Sequence, residues 1–124
     1  VDRIIDAFPA DEQNQIRAML AQSLTAVISQ LLCRMAERDG RIAVHEILLH
    51  HEALPSTIRE GQISNIRSII EGGRAKGMKT MDSDLIRLLN EGEITALEAY
   101  MKASNKSEFE EFLSEEDLST ITGE

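Results

Sequence analysis

Ile16, Met19, Leu20, Leu24, Val27 and Ile28 recur at three- and four-residue steps, the spacing that places side chains along one stripe of a helix. A helix with one apolar stripe must bury it against another element, so the first quarter of the chain already commits it to packed helices. The core filler is restricted as well, because the 124 residues contain no Trp, one Tyr and three Phe. Leu, Ile, Met, Val and Ala must supply the interior, which favours aliphatic ridges between helices over an aromatic-rich sandwich. The expected helix starts at the cap Asp11 and runs through Ile28.

Other signals fill in the order of elements. Ile4, Ile5 and Phe8 form the apolar side of a short helix that Pro9 stops, since proline disfavours helical geometry in the residue before it. Two apolar runs, residues 31–35 and 41–49, flank Asp39-Gly40, a preferred turn dipeptide, and read as a β-hairpin. Pro55 suits the first turn of a helix over residues 54–60, and Gly61 suits its left-handed exit. Ile63, Ile66, Ile69 and Ile70 mark a further helix ending at Gly72-Gly73. Thr80 caps another that carries Met81, Leu85, Leu88 and Leu89, which Gly92 closes. Thr95-Ala96-Leu97-Glu98 and Ser107-Glu108-Phe109-Glu110 have the form of capping boxes. The last ten residues are acidic and poorly amphipathic and are expected to fray.

The formal charge of -9 is concentrated at one end. Residues 105–124 carry seven acids against Lys106 alone, whereas the other 104 hold twelve Lys and Arg against fifteen acids. A nearly balanced body with an acidic tail offers no electrostatic reason to bind nucleic acid or an anionic membrane. Cys33 is the only cysteine, so no intrachain disulfide forms and a cytosolic setting is the default expectation. No apolar run approaches the roughly 18 residues of a membrane span. The chain opens on Val1, inside an apolar-periodic segment, which reads as a cut through a longer protein.

Three stretches come close to catalytic motifs. Residues 72–80 differ from the phosphate-cradling G-x-x-x-x-G-K-[ST] by the inserted Met78, but that loop needs a buried strand before it, and here an amphipathic helix precedes. A glycine-rich linker is the expected reading. His45, Glu46 and His50 resemble H-E-x-x-H with one residue too many, so the imidazoles do not share a helical face, and on a strand they point oppositely. A metal enzyme using His45, His50, His51, Glu46 and Glu52 is a rival reading, but surface or structural histidines are expected. Cys33 lies among apolar neighbours, where a thiol acts as a small hydrophobe. No catalytic, cofactor-binding or metal residue is assigned.

Four blocks in order carry a family resemblance: Val1-Asp2-Arg3-Ile4-Ile5-Asp6-Ala7-Phe8-Pro9, Ala26-Val27-Ile28-Ser29-Gln30-Leu31-Leu32, Gly40-Arg41-Ile42-Ala43-Val44-His45-Glu46-Ile47-Leu48, and Gly77-Met78-Lys79-Thr80-Met81-Asp82. Over residues 1–104 the chain resembles the C-terminal part of the type IV pilus retraction ATPases, the PilT/PilU twitching-motility family. The resemblance implies the C-terminal helical portion of a RecA-like α/β ATPase domain, mainly α with one β-hairpin that would extend the parent's core sheet. Residues 1–49 would end the ATPase core, 50–104 would form a helical lobe, and 105–124 would be an acidic tail, partly helical or frayed.

The same resemblance places the Walker A loop, the Walker B segment and the histidine box upstream of Val1. ATP and magnesium would thus belong to the parent, and this stretch alone would be inactive. Implied partners are copies of the parent in a hexamer and the pilus machinery at the inner-membrane platform, with no nucleic acid and no membrane insertion. The implied location is cytoplasmic, peripheral to the inner membrane. The family's retraction motif A-I-R-N-L-I-R-E aligns with residues 53–60. Ala53, Ile58, Arg59 and Glu60 are identical and Leu54 is conservative, while Pro55, Ser56 and Thr57 replace Arg, Asn and Leu. These five matching residues are the force-transmission candidates. The alternative function is a stand-alone α-helical interaction or regulatory module.

Overall fold

In the computed structural model, which describes residues 1–123, α1 (Asp2–Asp6) and α2 (Gln13–Ser23) are followed by β1 (Ala26–Arg34). The helix expected through Ile28 therefore stops five residues earlier than its apolar stripe. Leu24 turns to ψ 118, and the Thr25 carbonyl accepts the His50 N–H at 2.9 Å. Thr25, Val27 and Ile28 are β-branched and fit a pleated ladder better than another helical turn. Apolar residues at 24, 27 and 28 satisfy a helical period, yet the hydrogen bonds offered by the second strand decide the outcome. Asp11 is not the cap either: the N-cap of α2 is Glu12, with no side-chain bond.

β1 pairs antiparallel with β2 (Arg41–Leu49) as a two-stranded sheet. The remaining elements are α3 (Leu54–Arg59), α4 (Ile66–Gly72), α5 (Met81–Asn90), α6 (Ala96–Lys102) and α7 (Glu115–Thr122), with short 3-10 turns at Ile63–Asn65, Arg74–Lys76 and Lys106–Phe112. The observed class is the expected one, mainly α with one hairpin.

The chain forms two compact units. The first comprises residues 1–28 and 47–79, and its core is Ala21, Leu48, Leu54, Ile58, Ile66, Ile70 and Met78. Here α3 packs against α2. Gly73 is fixed by a close approach: a Cβ on it would lie 2.5 Å from Met78 Cε and 2.7 Å from its Sδ, so the buried thioether occupies the place of a side chain. The second unit comprises residues 29–46 and the chain from Thr80 onward. Cys33, Val44, Met81, Leu85, Leu88, Ile94, Ala99, Ala103 and Phe109 form its core.

Capping follows the sequence in part. Thr80 Oγ1 accepts the Ser83 N–H at 3.1 Å and starts α5. Thr95 likewise accepts from Glu98 N–H at 3.1 Å, but the Glu98 carboxylate accepts the Arg34 N–H instead of closing the box. Residues around Ser107 form a 3-10 turn, not a capped helix. The reciprocal box is found at Ser114 and Asp117. It starts α7 across residues expected to fray, because two orphan N–H groups are satisfied there at once.

Candidate functional site

The five sequence-selected residues lie at α3. His51 prepares the entry to this helix: its Nδ1 accepts the Ala53 N–H at 3.0 Å, and its carbonyl accepts the Leu54 N–H at 2.9 Å. Pro55 occupies the first turn, where a missing N–H costs nothing. Ala53 is exposed, and its carbonyl accepts the Thr57 Oγ1–H at 2.8 Å. That bond allows the Thr57 hydroxyl to be buried where the family motif has Leu.

Leu54 and Ile58 are both buried in the first unit's core, a burial that stabilises by about 1.5–3 kcal/mol for each side chain. Arg59 and Glu60 are exposed, and among the described residues the Arg59 side chain makes one long bond, Nε to the Pro55 carbonyl at 3.4 Å. Gly61 then leaves the helix at φ 69, and its N–H and that of Gln62 close the end on Ile58 and Thr57 carbonyls. The short helix is thus anchored by two aliphatic residues and presents a cation and an anion at its exit.

Two residues at this corner have roles that the sequence does not reveal. In sequence His51 reads as a candidate metal ligand, not as the acceptor for the Ala53 N–H, because a side chain bonding two residues ahead leaves no periodic trace. Arg17 of α2 has its Nε beside Gly61, 3.9 Å from where a Cβ would be. That Nε is buried without a hydrogen-bond partner among the described residues, while its Nη1 donates to Asn14 at 3.2 Å.

In the second unit, carboxylates hold backbone. Asp84 accepts the His45 N–H at 2.8 Å and Arg87 Nε at 2.9 Å. Glu46 accepts the Met81 N–H at 3.0 Å, and Asp82 accepts N–H bonds from Ser104 and Asn105. The Asp84 hydrogen bond raises the Arg87 pKa further. Burial, followed by the Glu98 charge, raises the Cys33 thiol above its ordinary value, which keeps it protonated and a poor nucleophile at neutral pH.

His45 belongs to the second unit and bonds Gln30 at 2.9 Å, whereas His50 and His51 belong to the first. Among the described residues no three His, Cys, Asp or Glu side chains are grouped to hold a metal ion. Residues 72–80 begin at the last residue of α4, turn through a 3-10 segment, and pair Lys79 with Ile47. Met78 fills the space beside Gly73, and the N–H groups of Lys76, Gly77, Met78 and Lys79 donate to the carbonyls of Gly73, Arg74, Gly73 and Ile47. No helix among the described residues is long and apolar enough to cross a membrane.

No family model matches the chain. A twitching motility protein of Neisseria gonorrhoeae is 47% identical over 105 residues, 85% of this chain and 28% of that protein. The type IV pilus retraction ATPase PilT of Pseudomonas aeruginosa is 38% identical over 109 residues, 88% of this chain and 31% of its own length. Among solved structures, that of the pilus retraction motor PilT with bound ADP superposes at a TM-score of 0.71 with 29% identity, covering 86% of this chain and 29% of that one. The chain therefore spans about 28 to 31% of the length of these relatives. The fold is the C-terminal helical portion of a RecA-like ATPase domain. Over that stretch the chain is homologous to the type IV pilus retraction ATPases and belongs with their family.

Proposed function

We propose that this chain is the force-transmitting and subunit-contact part of a hexameric, ATP-driven motor that retracts type IV pili. In this reading ATP and magnesium are held by the rest of the protein, and the stretch described here relays their effect without touching the phosphates. The hairpin extends the parent's core sheet, which would cover Ile28 and Leu32 on the open side of β1. The motor works on the cytoplasmic side, peripheral to the inner membrane, through the pilus machinery.

The observation that carries the reading is the division of labour within α3. Leu54 and Ile58 fix the helix in a core, so it moves with its unit, while Arg59 and Glu60 face outward from the end of that fixed helix. A relay element needs both properties: rigid coupling on one side and polar contact on the other. Homology to motors named for retraction supports the assignment.

The test is the double substitution Arg59→Ala with Glu60→Ala in the full-length protein. Folding and basal ATP hydrolysis are expected to be retained and twitching to be lost. Wild-type motility in that variant would refute the role given to α3.

A further inference from the structure

The turn end of the hairpin carries Arg34, Arg38 and Arg41. Met35 N–H donates to the Gly40 carbonyl, and Gln30 bonds His45. These pairings set a constant register that places Arg34, the last residue of β1, directly opposite Arg41, the first of β2. Both arginines are exposed, and neither guanidinium has a carboxylate within ion-pair distance among the described residues. Like charges directly opposite in an antiparallel ladder destabilise the pair. An anion seated between them would reverse that repulsion.

The same residues line an open depression of about 370 Å³, together with Met35, Arg38, Asp39 and Gly40. Three guanidinium groups and one carboxylate, Asp39, line it, and the Glu98 carboxylate sits behind the strand, accepting the Arg34 N–H. The acids Glu37, Glu91 and Glu93 line an adjoining depression that shares Met35 and Arg38 with this one. Glu93 engages Arg38 at 3.8 Å, a long ion pair in which Arg38 is exposed and Glu93 half-buried. The N–H groups of Glu37, Arg38, Asp39 and Gly40 make no hydrogen bond within the described residues, so backbone donors are available in the same turn.

We infer that the hairpin's turn end binds a phosphate-type oxyanion between Arg34, Arg38 and Arg41. Guanidinium forks match the paired oxygens of phosphate in geometry and charge, and the depression has room for the organic part of a phosphorylated molecule. The source is either a free phosphate compound or a phospholipid headgroup. The inference does not depend on the role proposed for α3.

The experiment is an amide chemical-shift titration of the chain with inorganic phosphate, matched in ionic strength by sodium chloride. In parallel, co-sedimentation is measured with phosphatidylcholine vesicles with and without phosphatidylglycerol. Saturable shifts confined to residues 34–41 indicate free phosphate. Sedimentation that needs phosphatidylglycerol indicates a headgroup. In either arm the Arg34→Gln, Arg41→Gln double variant should bind about tenfold more weakly or worse. Arg34→Glu, which sets a carboxylate opposite Arg41, should abolish binding and raise the urea midpoint. The inference is overturned if neither arm shows binding, if chloride reproduces the shifts, or if the variants bind like the wild type.

Discussion

β1 and β2 are strands of one hairpin with similar apolar content, yet they are buried very differently. In β2 only Arg41 is exposed, and Val44 and Leu48 are buried. In β1 only Cys33 is buried, while Ile28 is 66% and Leu32 51% exposed. Strand composition therefore does not determine burial; what matters is which face and edge another layer covers. Val44 lies in a core with α5 residues, Asp84 of that helix accepts the β2 N–H of His45, and the Glu46 carboxylate of β2 accepts the N–H of Met81 at the helix start. On β1 the corresponding tie lies at the strand's last residue, where the Glu98 carboxylate accepts the Arg34 N–H.

The contrast can be broken most directly at Asp84. Replacing it with Ala leaves the His45 N–H without its acceptor and removes the Arg87 ion pair, and should cost about 2–3 kcal/mol of stability, read from the urea midpoint. Val44→Ala should cost about 2 kcal/mol through lost burial and the remaining cavity. A loss below about 0.5 kcal/mol would mean that β2 is not anchored as described.

Cys33 sharpens the comparison from the β1 side, being the one residue of that strand in a core. Its raised pKa implies slow alkylation of the folded chain at neutral pH. The unfolded thiol ionises first as pH rises, so stability should fall above the ordinary thiol range, and the fall should be smaller in Cys33→Ala. Rapid alkylation without unfolding would contradict the burial. The smallest effect is expected at Leu32: Leu32→Ala should change stability by less than about 0.5 kcal/mol. A loss equal to that of Val44→Ala would erase the difference between the strands.

Much of the fold could be read from local chemistry. Thr80 and Gly92 bracket α5, and Pro55 with Gly61 brackets α3, because caps and left-handed exits depend on residues within one turn. What could not be read depends on distant partners. Val27 and Ile28 fit a helical period until β2 offers ladder bonds. Glu98 looks like half of a capping box until the Arg34 N–H competes for its carboxylate. At α3, the burial of Leu54 and Ile58 follows from their spacing, whereas His51 and Arg17 act through contacts that no pattern encodes. The opposed arginines at the turn became visible only once the register was known.

The most direct test of the relay role is phosphate release by the purified 124-residue chain supplied with ATP and magnesium. Release no faster than in buffer is the result the proposal predicts, because it assigns the grip on the triphosphate to the rest of the motor. Sustained turnover by this chain, abolished by substitutions within residues 72–80, would show that the stretch hydrolyses nucleotide itself and would contradict the role assigned to it.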